Sequence, residues 1–214
     1  MVITQELVTG TTVAGALDAL ASLRLEIFRE YPYLYNGRRE DELDYLKSYA
    51  ETPGACVILV HDSGAVVGAA TGMPFIHEGK QMLTALAGSQ YCVENIYYVG
   101  ELLFYPAYRN KGLGLQLLDQ LEHHIRSLGR YRQLVCATVE RPDVHPLKPE
   151  GYVPITRFLA RTGFDLLPGI TTSFSWCETD GVRRDHPMQF WVKELNFPHA
   201  EAERSEPKGI TYAA

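Results

Sequence analysis

Glu101-Leu102-Leu103-Phe104-Tyr105-Pro106-Ala107-Tyr108-Arg109-Asn110-Lys111-Gly112-Leu113-Gly114 is the stretch on which the fold turns. An apolar, strand-like run ends at Pro106, and a short loop with two glycines follows. Leu113, Leu117, Leu121, Ile125 and Leu128 then trace one face of a long amphipathic helix, which Gly129 closes. A helix N-terminus presents unpaired N–H groups and the positive end of the helix dipole. Gly112 and Gly114 carry no side chain, so an anion can approach that backbone closely. Arg109 and Lys111 add positive charge. Together these features predict a phosphate or diphosphate site. A glycine-rich turn before an ordinary helix is the plainer alternative.

Two nucleotide patterns do not fit. The Gly-x-x-x-x-Gly-Lys-Ser/Thr loop is absent, and a dinucleotide fold needs Gly-x-Gly-x-x-Gly after the first strand of a parallel sheet. The element here lies mid-chain between antiparallel hairpins. Upstream, Ala16, Leu20, Leu23 and Ile27 place one apolar stripe on a helix over 12–30, which Pro32 stops. The aromatic loop Tyr31-Pro32-Tyr33-Leu34-Tyr35-Asn36-Gly37 leads to a polar helix over 41–49. Strands over 55–61 and 65–71 flank Asp62-Ser63-Gly64 as a hairpin. A short helix is read over 80–87 and a strand over 96–104, rich in aromatic and β-branched residues. Downstream come a strand over 134–139, a proline-rich loop, a helix over 155–162, and closing strands over 171–176 and 188–192. The order β-α-α-β-β-α-β-α-β-α-β-β implies an α+β class with a mixed sheet. Residues 1–195 read as one domain and 196–214 as a polar tail.

Composition narrows the function. The 214 residues carry 20 Lys+Arg against 26 Asp+Glu, a net charge of −6, which argues against non-specific nucleic-acid binding. Hydrophobic residues make up 46% and charged residues 21%, the balance of a globular chain rather than a disordered one. No apolar stretch approaches the ~18–20 residues of a membrane span. Met1-Val2-Ile3-Thr4-Gln5-Glu6 shows no signal-peptide pattern. Cys56, Cys92, Cys136 and Cys177 offer no zinc spacing, and Cys56 and Cys136 read as buried reduced thiols. The expectation is a cytoplasmic protein without a metal.

The central element resembles the GNAT superfamily of acyl-CoA-dependent N-acyltransferases. Their signature is Arg/Gln-x-x-Gly-x-Gly/Ala after a strand reading Leu-x-Val-x-Pro. Here it reads Leu102-Leu103-Phe104-Tyr105-Pro106, then Arg109-Asn110-Lys111-Gly112-Leu113-Gly114. Phe158-Leu159-Ala160-Arg161-Thr162-Gly163-Phe164 resembles a second family segment, aromatic-Tyr-x-x-x-Gly-Phe. The resemblance implies a mostly antiparallel sheet with helices on both faces and acetyl-CoA as co-substrate. It implies that Arg109, Asn110, Lys111, Gly112, Leu113 and Gly114 hold the diphosphate. Pantetheine would lie along Leu102, Leu103 and Phe104, its thioester carbonyl near the Leu103 N–H. The acceptor implied is a primary amine, most simply of a small molecule. A homodimer is among the partners left open.

Acyl transfer to an amine needs a proton acceptor, because an alkyl ammonium has a pKa near 10.4. Glu101 is the candidate, placed where several polyamine-type relatives carry an acidic residue; a solvent-facing strand carboxylate is the alternative. Other relatives place the base at the position of Tyr98, which could help only through water. The usual proton-donating tyrosine falls at Leu159, so either Tyr152 or His145 from the adjacent loop stands in or the thiolate leaves unaided. Tyr31, Tyr33 and Tyr35 are the candidate acceptor wall, offering flat faces and hydroxyls to an amine; tyrosines pinning a surface loop to the core would look the same. The departure at Leu159 also keeps open a non-catalytic acyl-CoA-binding sensor or interaction module.

Overall fold

In a strand, successive side chains take opposite faces, and this alternation divides the core. Cys56, Ile58 and Val60 pack with Leu117, Leu121 and Ile125, whereas Val57 and Leu59 pack with Leu20, Leu23, Leu46 and Tyr49. Helices therefore cover both faces of one sheet. The structure is a computed structural model that describes residues 2–195. Its strands are β1 (Ile3–Thr9), β2 (Cys56–Asp62), β3 (Ala65–Pro74), β4 (Ile96–Phe104), β5 (Gln133–Val139), β6 (Asp165–Cys177) and β7 (Arg183–Glu194). The α-helices are α1 (Leu17–Ile27), α2 (Arg39–Glu51), α3 (Lys80–Leu86), α4 (Leu113–Ser127) and α5 (Ile155–Arg161). The strand order is β1-β2-β3-β4-β5-β7-β6, and every pairing is antiparallel except β4 with β5. This is the α+β fold with the mixed, mostly antiparallel sheet expected above. The polar tail read over 196–214 lies outside the described residues.

Two boundaries differ from the sequence reading. The helix read over 12–30 is a 3-10 segment, Gly10–Ala16, followed by α1. Gly10 and Gly15 weaken the first turns, and the Phe28 carbonyl accepts from the Tyr35 N–H to begin a compact loop. The closing strands run longer than their apolar cores. β6 pairs with β7 through polar residues because its outer edge faces solvent, and the register slips between Leu166 and Thr171 around Pro168-Gly169.

Two features of β4 make the site. It pairs with β5 only at Ile96, Tyr97 and Tyr98, and the two parallel strands then separate. On its other edge a bulge sits at Gly100, because Thr71 faces Glu101 while Gly72 faces Val99. A Cβ at Gly100 would lie 2.3 Å from the Tyr49 hydroxyl and 2.8 Å from Thr71 Oγ1, so the bulge admits glycine alone.

Candidate active site

The separation of β4 and β5 opens a cleft through the sheet. At one end, a groove of about 770 Å³ is lined by Leu102, Phe104, Asn110, Gly112, Gly114 and Phe158, among others. At the other, a cavity of about 250 Å³ is lined by Tyr31, Tyr33, Glu101, Leu103, Cys136 and Tyr152, among others. Leu102, Phe104, Arg109, Val153 and Ile155 border both, so the two hollows adjoin.

The groove ends on the start of α4. Asn110 and Gly112 have φ of 59° and 78°. Both residues thus take the left-handed backbone conformation, which turns the chain sharply just before α4. Gly112 precedes α4 with no side-chain cap, and no acidic residue lies in the first turn. The N–H groups of Leu113, Gly114 and Leu115 thus precede the helix's own hydrogen-bond ladder. A Cβ at Gly112 would meet nothing within 4 Å, so the space above the loop is open. The Lys111 ammonium lies 5.6 Å from the Tyr108 ring centroid and is not among the groove-lining residues. Arg157 and Arg161, one turn apart on α5, do line it. Their i, i+4 spacing was visible in the sequence, but nothing there showed which face of α5 meets the groove.

The bulge also decides which backbone groups the cleft receives. The Tyr105 N–H donates to Val67 of β3, while the Phe104 carbonyl accepts from Arg109 Nε at 2.9 Å on the opposite edge. Alternation then turns Leu103 toward β3 and Leu102 and Phe104 toward the cleft. Of the backbone N–H groups near Leu103, those of Leu102 and Phe104 face the cleft.

Glu101 is buried, not solvent-facing. One oxygen accepts from Arg24 of α1, and the other accepts from the Thr71 hydroxyl. Arg24 also donates to the buried Glu42 of α2. One guanidinium thus serves two carboxylates, of which Glu101 lines the cavity. Burial raises the Glu101 pKa, Arg24 opposes that, and Glu42 adds to it. Arg24 and Glu42 carry no sequence signal beyond their helices.

The tyrosines separate by role. Tyr31 meets Tyr152 edge-on, 4.8 Å between centroids, and lies 5.4 Å from the His145 ring. Tyr33 packs between Phe28 and Trp176, and burial together with Glu101 pushes its phenol above the ordinary range. Tyr35 bridges Glu178 in backbone pairing and has its ring against Gly37, and it is absent from the cavity lining. Arg141 fixes this loop, donating to the carbonyls of Pro32 at 2.6 Å and Tyr33 at 2.9 Å and pairing with Glu178 at 2.6 Å. Tyr152 is half-buried, and burial raises its pKa, with Tyr31 adding. Tyr98 is buried beside Phe75, and burial holds its phenol far above the ordinary range. Leu159 is buried in the core cluster and forms part of the cavity wall. Burial raises the Cys136 thiol to about 12, so it stays protonated.

Glu78, just after the 3-10 segment Phe75–His77, provides a pH signature. Burial raises its carboxyl to about 7, the Gly79 N–H opposes the shift, and Glu101 adds to it. A raised carboxylate pKa means the folded state keeps its proton longer than the unfolded state. The stability it contributes is full below the ordinary value of 4.5 and is lost as pH rises through about 7. Glu78→Gln should therefore gain in melting temperature relative to wild type between pH 5 and pH 8. A difference that stays flat over that range would mean a solvated carboxylate.

Among the described residues, no group of three or more His, Cys, Asp or Glu could hold a metal ion, and no helix is long and apolar enough to cross a membrane. Comparison with curated proteins finds no match. Among solved structures, the chain is similar to an N-acetyltransferase of Staphylococcus aureus Mu50 at TM-score 0.58 and 13% identity, covering 92% of this chain and 100% of that one. It is similar to yncA of Salmonella typhimurium, whose structure holds acetyl-CoA, at TM-score 0.57 and 15% identity, covering 98% and 100%. A ribosomal-protein-alanine N-acetyltransferase of Brucella melitensis gives TM-score 0.57 and 16% identity, covering 91% and 100%. At these identities the likeness concerns the fold. The family itself rests on residues 19–146, which match the model of the Acetyltransferase (GNAT) family. The chain belongs to that family.

Proposed function

We propose that this acetyltransferase moves the acetyl group of acetyl-CoA to the primary amine of a small molecule by direct attack with base assistance. The observation that carries the reading is the split between β4 and β5, which runs one cleft from the bare start of α4 to the Glu101 carboxylate. Acetyl-CoA supplies an activated thioester when bound. The N–H groups of Leu113, Gly114 and Leu115 suit its diphosphate, with Asn110 and Gly112 shaping the loop and Arg157 and Arg161 adding charge. Lys111 adds its charge from the rim. The backbone groups of Leu102 and Phe104 pair with the pantetheine arm once Arg109 leaves the Phe104 carbonyl, and their N–H groups face the carbonyl oxygen where charge develops. Leu103, whose backbone faces β3, lines the cavity with its side chain.

Glu101 takes the ammonium proton. A carboxylate offers about four lone-pair sites, and Arg24 and Thr71 engage only two. Tyr152 keeps its proton at neutral pH and can give it to the leaving thiolate. Tyr31 and Tyr33 wall the acceptor end, and Tyr35 holds the base of their loop. The small cavity, walled by aromatic rings and lined by the Glu101 carboxylate, suits a compact cation better than a peptide. The buried free thiols Cys56 and Cys136 suit a reducing cytoplasm.

Release of free CoA should be measured with acetyl-CoA alone, with a panel of small primary amines, and with peptides bearing a free N-terminus. Turnover with small amines is the expected result. Turnover only with peptides would move the acceptor class to proteins. Tight CoA binding without release would leave a non-catalytic module.

A further inference from the structure

The signature arginine is already engaged. Arg109 Nη1 donates to Glu30 at 2.6 Å and Nη2 to the other Glu30 oxygen at 3.2 Å, while Nε donates to the Phe104 carbonyl. Three of its five N–H donors are thus engaged by groups at the cleft's middle. Glu30 follows α1 at the start of the aromatic loop and lines the acceptor cavity. Phe104 is one of the two cleft-facing positions of β4. Arg109 itself borders both hollows. The pair is about one-third exposed, so water reaches it and its hold is modest.

We propose that Glu30 and Arg109 form a latch that the diphosphate of CoA competes for. The inference rests on the acetyl-CoA reading above. An incoming diphosphate is a stronger bidentate partner for guanidinium than one carboxylate. A pantetheine arm on β4 also needs the Phe104 carbonyl, which Arg109 occupies. CoA binding therefore draws Arg109 out toward the groove on both counts. Glu30 is then left unpaired on the acceptor side, a negative group for the acceptor's ammonium. Glu30 contributes to the two binding events with opposite sign.

Glu30→Gln removes the competitor without shortening the side chain. CoA should bind this variant about threefold to fivefold more tightly by calorimetry, the scale set by a partly exposed ion pair. KM for the amine should rise at least about tenfold, with a smaller change in kcat. A merely structural staple would predict the reverse for CoA, since loosening the loop weakens binding. Unchanged or weaker CoA affinity in folded Glu30→Gln overturns the latch. The cycle with Arg109→Gln guards against an indirect effect. The Glu30→Gln gain should vanish in the Arg109→Gln background, and a gain that persists there also overturns it. Wild-type protein that fails to bind CoA at all would instead remove the acetyl-CoA reading.

Discussion

Gly112→Asp loses CoA affinity by at least about 10²-fold. Two unlike charges or two like charges ~4 Å apart near a protein surface interact by about 4 kcal/mol, and the new carboxylate would sit beside the diphosphate. The space above Gly112 is open, so the side chain enters the groove without displacing protein atoms. The φ of 78° costs the aspartate some strain. A negative charge at a helix start offsets part of that cost. The fold should therefore survive with a small shift in melting temperature. Gly112→Asn separates charge from shape, since asparagine tolerates this backbone conformation and adds no charge. Its CoA affinity should stay within about tenfold of wild type, a window far narrower than the aspartate effect. Calorimetry on both variants decides the matter. Equal affinity in folded Gly112→Asp would remove the diphosphate from the start of α4.

Glu101→Gln loses kcat by at least about 10² at pH 7, the lower end of what general-base catalysis contributes. The substitution keeps an acceptor for Arg24 or Thr71, and Arg24 retains Glu42, so no buried charge is stranded. CoA affinity should be unchanged, because no diphosphate contact is touched. In wild type, activity should fall on acidification at a higher pH than an ordinary carboxylate would give, because burial raises the Glu101 pKa. The deficit of the variant should shrink as pH rises, because more of the amine is then already neutral. A variant that keeps more than a tenth of wild-type kcat at pH 7 would show that Glu101 is not the base. The carboxylates that share its environment, Glu42 and Glu78, would then be tested in its place.

The chain's local physics was legible in its residues. A strand, two glycines and a leucine stripe specify a bare helix start, because backbone conformation there depends on neighbours a few positions away. The structure places Gly112 and Asn110 in left-handed turns at that point. The hairpin at Asp62-Ser63-Gly64 and the succession of strands and helices along the chain followed from the same kind of local pattern. Glu101 was also legible, as a carboxylate on the right strand.

Tertiary structure alone decided what these groups touch. Glu101 meets Arg24 across 77 positions, and Arg109 meets Glu30 across 79. No periodicity links residues so far apart, because their meeting depends on how α1 lies on the sheet. The orientation of β4 was equally hidden. Strand alternation has a period of two, so the one extra residue at Gly100 exchanges the edges of everything after it. That single residue turns the backbone groups of Leu102 and Phe104, rather than those of Leu103, toward the cleft. Tyr35 left the cavity for a similar reason: its loop doubles back to pair with Glu178 of a distant hairpin. Sequence therefore determined which elements and chemical groups were present, since those follow from short-range propensity. Packing determined which charge faces which, since residues so far apart in sequence form an ion pair only where the fold brings their surfaces together.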